Sequence, residues 1–145
     1  MKRLLASLCF TALIAGCAGS STVTVGGRPV SIPTDAAEEH EKLIENIGIY
    51  DDPELQAYID EIGARLVANS SMPNQKFTFT LLDSPDINAF ALPGGLIYIN
   101  RGLLAYLDSE AELAGVIAHE IGHITERHHS RRKTQTITNQ VAAVS

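Results

Sequence analysis

The sequence predicts an α+β domain: helices, with a small sheet set beside one organising helix. Three observations carry this. Apolar residues recur at helical spacing in two segments, from Ala36 to Ile47 and from Leu55 to Val67. Phe77 to Leu82 alternates aromatic residues with Thr, and Leu96 to Asn100 is a second short apolar run. A capped helical pattern then starts at Ser109 and continues to His129.

The 145 residues suit one domain, and 45% hydrophobic with 19% charged residues fits a globular chain. The net charge of −6 argues against nucleic acid as a partner.

The first sixteen residues read as a signal peptide. Lys2 and Arg3 precede an apolar run from Leu4 to Ala15 that is too short for a mature membrane span. Leu13-Ile14-Ala15-Gly16-Cys17 resembles a bacterial lipobox, which makes Cys17 the lipidated first residue of the mature chain. A plain secretory signal is the other reading. Several acyl chains on one residue hold a protein firmly to a bilayer, at about 0.8 kcal/mol per buried CH₂. Ala18 in place of Asp after the cysteine points, by resemblance to enterobacterial sorting, to the periplasmic face of the outer membrane. With Cys9 removed and Cys17 acylated, neither a disulfide nor a thiol-based metal site is available.

Residues 17–34, rich in Ser, Thr, Gly and Val, read as a tether, with an edge strand on Val23, Val25 and Val30 as the lesser alternative. Asp35 with Glu38 starts a helix that Gly48 ends, with His40 at a solvated position among glutamates. Asp52-Pro53 opens a stronger helix, Asp as N-cap and Pro in the first turn. Asn69 to Asn74 breaks it before the Phe77 strand. Pro93-Gly94-Gly95 is a turn. In the Leu96 to Asn100 strand, Tyr98 falls on the side opposite Ile97 and Ile99. This strand is the candidate exposed edge, on which an extended peptide could pair through main-chain hydrogen bonds; the alternative is a wholly paired strand. A short helical turn, Leu103 to Leu107, leads to the last helix.

That helix has Ser109 and Glu112 as a capping box and an apolar side of Leu113, Val116, Ile117 and Ile121, so it should be mostly buried. It carries His119-Glu120-Ile121-Gly122-His123, an H-E-x-x-H pattern. Residues four apart on a helix lie about 40° apart round the axis and about 6 Å along it. Two imidazoles so placed reach one metal ion, and Glu120 can act as general base on its water. An ordinary core helix with two satisfied histidines is the bland reading, but His, Glu and His buried together would each need partners.

Asn88-Ala89-Phe90-Ala91-Leu92-Pro93-Gly94-Gly95, Ile97-Tyr98-Ile99, Gly102-Leu103-Leu104, Ser109 to Ala114 and the H-E-x-x-H follow in order. From Ala36 to His129 the chain resembles the HtpX and Oma-type zinc metallopeptidases, nearest the lipid-anchored or periplasmic branch of LoiP- and BepA-like proteins. The resemblance implies a compact zincin-like (gluzincin) domain over residues 35–145, with a small sheet beside the active-site helix. It implies one zinc ion per chain on His119 and His123, and Glu120 as catalytic acid/base. Unfolded or misassembled envelope proteins would be the substrates. Asn88, Gly94, Gly95, Leu96 and Tyr98 are the candidate substrate-binding residues; the Asn88 to Gly95 stretch equally reads as a loop that needs its Pro-Gly-Gly to turn.

Gluzincins take a third ligand, a Glu, from a later helix, and no Asp or Glu follows Glu126 in this sequence. Glu126 lies about 60° round and 4.5 Å beyond His123, which directs it past the metal. His129 holds the spacing of a metzincin's third ligand, but metzincins need Gly where Glu126 stands. In a continuous helix His129 would be about 15 Å along the axis from His119. The basic cluster after His129 reads as favourable to a helix C-terminus or to anionic lipid. Since Val141 to Ser145 continues a helical pattern, the domain is expected to be incomplete at its C-terminus. A zinc endopeptidase is therefore the leading expectation. A non-catalytic lipoprotein that binds unfolded envelope proteins is the alternative, and a metal-binding protein without proteolysis the third.

Overall fold

The computed structural model describes residues 19–25 and 28–142, with side chains described to Glu126 except those of Val25 and Arg28. The signal peptide, Cys17 and the side chains of His128, His129 and the basic cluster lie outside the described residues. The elements are β1 (Ser20–Val25), β2 (Arg28–Pro33), α1 (Thr34–Asn46), α2 (Pro53–Ala68), β3 (Thr78–Leu82), β4 (Ala89–Leu92), β5 (Leu96–Asn100), α3 (Arg101–Tyr106) and α4 (Glu110–Ala142). The α+β class holds, with two small sheets among four helices.

Side chains near the helix starts explain their boundaries. Asp52 Oδ1 accepts from Leu55 N at 3.0 Å, and Pro53 occupies the first turn of α2, where its missing N–H costs nothing. At α4, Ser109 Oγ accepts from Glu112 N at 3.3 Å, while Glu112 Oε2 reaches back to Asp108 N at 2.7 Å. The box is thus one residue wider than expected. Asp35 does not cap α1: the N-cap position is Pro33, and Asp35 Oδ1 accepts from the adjacent Ala36 N.

The main sheet has the order β3-β5-β4, with β5 parallel to β3 and antiparallel to β4. This corrects two expectations. Ala89–Leu92 is a strand, and Leu96–Asn100 is the central strand, paired on both sides, not an edge. Its five residues are all buried, as suits a strand covered on both faces. Phe79, Leu81, Ile97 and Ile99 face α2 and α4 in one core. Leu82, Leu96 and Tyr98 face a second core made by α1 and the β1–β2 hairpin. Alternation along β5 therefore divides Tyr98 from Ile97 and Ile99, as its register requires.

The hairpin corrects the tether reading within residues 20–33. Val23 and Ile32 alternate inward, are buried, and cover the back of the sheet. His40 is likewise not solvated. It is 5% exposed, and its Nδ1 lies 2.7 Å from Tyr98 Oη. The neighbouring glutamates point outward while one turn of α1 brings this imidazole over β5. Phe90 stacks on Tyr98 at 5.1 Å between ring centroids.

The outer side of β3 is closed by other means than a strand. Gln56 of α2 uses its amide as a substitute backbone: Nε2 donates to Phe79 O at 3.1 Å and Oε1 accepts from Leu81 N at 3.1 Å. Tyr50 N donates to Leu81 O at 3.0 Å. Among the described residues no strand pairs with the outer side of β4.

Gly63 lets α2 lie close to the sheet. A Cβ there would fall 2.2 Å from the Phe79 ring. Gly63→Ala should overpack this contact, at a cost of about 1–3 kcal/mol, and lower Tm by several degrees in thermal unfolding. Gly115, in α4 with nothing within 4 Å of such a Cβ, is the control: Gly115→Ala should raise stability by up to about 1 kcal/mol.

Burial pushes the Tyr98 hydroxyl well above its ordinary range. An unfolded tyrosine ionises near pH 10, so this contribution is complete below that pH and is lost as pH rises beyond it. Denaturant titrations should show stability falling above about pH 10, with a shallower fall in Tyr98→Phe.

Candidate metal centre

The centre is built on the packing of α4. Leu113, Ile117, Ile121 and Ile124 are buried in the core with Phe79, Leu81, Ile97 and Ile99. Ala89 and Ala91 of β4 pack against the same core, and α4 lies against this strand. Two methyl side chains on one face of a strand let a helix approach closely. At its N-terminus α4 is tied to α2: Glu110 accepts from Tyr58 Oη at 2.7 Å and from Arg65 at 2.8 Å. Those two hydrogen bonds, Tyr58's first, hold the Glu110 carboxyl below its usual range.

With α4 so oriented, its residues sort by angle. His119 and His123 are exposed and their rings meet edge to face, with centroids 4.4 Å apart. Glu120 is one residue, about 100°, further round, which carries it to the core side, where it is 8% exposed. The helix is thus not mostly buried: one side is packed, and the other, with Gly115, Ala118 and the two histidines, is open. Donor atoms of His119, Glu120 and His123 all lie within 4.8 Å of one another, and they are the one such group of three among the described residues. Two imidazoles and a carboxylate suit zinc. The donor set fits two ligands plus an acid/base, as the spacing implies.

Of the other candidates, Asn88 is exposed, Gly94 is half-buried and Gly95 is buried. Gly94 and Gly95 form the β4–β5 turn with φ of 94° and 90°, a conformation that favours glycine. A Cβ on Gly95 would stand 2.2 Å from Lys76 O. The turning role of Pro93-Gly94-Gly95 is therefore physical. Leu96 and Tyr98 cannot touch a substrate at this centre. They are buried, at 1% and 0% exposure, on the face of the sheet turned away from α4. The residues overlooked are Ala89 and Ala91; their signal was an Ala-x-Ala alternation just before a Pro-Gly-Gly turn.

Glu126 stands inside the continuous α4, which runs on to Ala142, so the chain does not turn back there as a metzincin does. It is not among the clustered donors.

Residues 53–145 match the model of peptidase family M48. A beta-barrel assembly-enhancing protease of Yersinia pestis is 48% identical over 80 residues, 55% of this chain and 16% of that protein. Its Escherichia coli K12 counterpart is 42% identical over 83 residues, 57% of this chain and 17% of that protein. The mitochondrial metalloendopeptidase OMA1 of Schizosaccharomyces pombe is 35% identical over 75 residues, 52% of this chain and 22% of that protein. The chain spans less than a quarter of the length of each of these relatives.

Proposed function

From its place in peptidase family M48, to which the chain belongs, we propose that it is a zinc-dependent endopeptidase of the bacterial cell envelope, acting on misfolded or misassembled envelope proteins. The observation that carries the reading is the His119 and His123 pair on the open side of a helix packed beside a strand edge, with a donor atom of the buried Glu120 within 4.8 Å of theirs. The names of the bacterial relatives, which are proteases that enhance β-barrel assembly, support the envelope and its outer-membrane proteins as the setting. A lipobox-like Leu13 to Cys17 supports anchoring to the outer membrane through Cys17, facing the periplasm. Among the described residues, no helix is long and apolar enough to cross a membrane.

His119 and His123 would hold the ion, one helical turn apart. Zinc, when bound there, supplies a Lewis acid that polarises the scissile carbonyl and lowers the pKa of the attacking water. Glu120 takes the proton from that water and delivers it to the leaving amine. Its burial keeps the carboxylate at the floor of the centre while the imidazoles face substrate. The outer edge of β4 offers main-chain N–H and C=O groups to an extended peptide. Such pairing tolerates many sequences, which suits a protease for unfolded chains.

A non-catalytic lipoprotein that binds unfolded envelope proteins is the second reading. It is favoured by one observation: beyond His119, Glu120 and His123 no further donor joins the group among the described residues. One variant separates the two. In the full-length protein, Glu120→Gln should lower casein cleavage by at least about a hundredfold while zinc content, measured by plasma emission, stays at the wild-type level. Cleavage unchanged by the substitution would remove Glu120 from the mechanism; no cleavage by either protein would favour the binding lipoprotein.

A further inference from the structure

The chain enters the fold at one end of the main sheet, and it enters without slack. Gly19 O accepts from Thr34 N at 3.2 Å, and a Cβ on Gly19 would lie 2.9 Å from Thr34 Oγ1. The adjoining Ile32 and Pro33 press on the β4–β5 turn: a Cβ on Gly94 would stand 2.7 Å from Ile32 and 3.1 Å from Pro33. Gly95, in the same turn, abuts Lys76 at the entrance to β3. The entry point, the β4–β5 turn and the start of β3 therefore share one end. The other end carries the loop from Asp83 to Asn88. It is joined to the α1–α2 connection by Asp83 N donating to Gly48 O at 3.1 Å. The length of β5, five residues, separates the two ends by roughly 16 Å.

Two peptide units join Cys17 to Gly19, a reach of at most about 7 Å. We propose that acylated Cys17 holds this domain upright on the bilayer, with the β4–β5 turn and Lys76 against the lipid headgroups and the Asp83 to Asn88 loop facing away. The inference rests on the lipid-anchor reading above. A long flexible tether would let the domain tumble. Here the hairpin that follows the anchor is part of the packed body, with Val23 and Ile32 buried against the sheet.

The exposed charges agree with this orientation. The near end exposes Pro73, Asn74 and Lys76, with Asp35 as its acid beside the entry point. The far end exposes Asp51, Asp83 and Asp86, with Arg101 paired to Asp83. An anionic leaflet attracts Lys76 and repels Asp51 and Asp86, the Asp83 charge being offset by Arg101. The outer edge of β4, running between the two ends, would then stand along the membrane normal, so an extended substrate would be taken end-on to the bilayer.

The test uses the full chain, made with its own leader so that Cys17 is acylated, in vesicles of phosphatidylethanolamine and phosphatidylglycerol doped with a lipid whose headgroup carries gadolinium in a macrocyclic chelate, which leaves the exposed His119 and His123 unbound. Single cysteines replace Asn74 or Asp86 and carry a nitroxide label. The expected result is several-fold stronger relaxation by the surface gadolinium at Asn74→Cys than at Asp86→Cys. Inserting about twelve Gly and Ser residues between Ala18 and Gly19 should abolish the difference. Equal relaxation at both sites in the acylated protein overturns the orientation, and so does a difference that survives the insertion, since the short anchor would not be its cause. Mass spectrometry that finds no acyl group on Cys17 removes the anchor itself, and the orientation with it.

Discussion

The seating of α4 on the sheet is the constraint from which the rest of the molecule follows. Leu113, Ile117, Ile121 and Ile124 enter one core with Phe79, Leu81, Ile97 and Ile99. Each such side chain contributes about 1.5–3 kcal/mol when fully buried. That row determines the rotation of the helix. Once it faces inward, His119 and His123 must face outward and Glu120 falls on the core side. The metal face is thus positioned by apolar packing several residues away, with Ala89 and Ala91 leaving room for the close approach.

Sheet edges are managed asymmetrically. The Gln56 amide and Tyr50 N–H satisfy backbone groups on the outer side of β3. The back of the sheet is sealed by the hairpin, α1 and the His40–Tyr98 hydrogen bond. Among the described residues, the outer side of β4, the strand against α4, has no strand partner in the main sheet. An unpaired edge is ordinarily a hazard for aggregation. An edge of four residues is short enough to limit that hazard.

Much of the centre was legible in the sequence because its determinants are local. The four-residue spacing of His119 and His123, the Asp52-Pro53 start and the alternation about Tyr98 all act within a few residues. What was not legible depended on distant partners. Leu96–Asn100 looks the same as an edge or a central strand until β3 and β4 are placed beside it. His40 sits among glutamates in sequence, yet its partner is 58 residues away. Ala89–Leu92 is too short, and too rich in alanine, to announce a strand. The hairpin did carry a signal, Val23 and Val25 before Gly26-Gly27 and Val30 and Ile32 after it, within a Ser- and Thr-rich stretch that reads equally as a tether.

Packing of α4 sets His119 and His123 side by side on its open face, where they would hold one ion. Zinc K-edge absorption of the zinc-loaded full-length protein tests it most directly. Two imidazole nitrogens are expected at about 2.0–2.1 Å from zinc, falling to one in His123→Ala. A zinc shell without histidine, or one unchanged by that substitution, would contradict it.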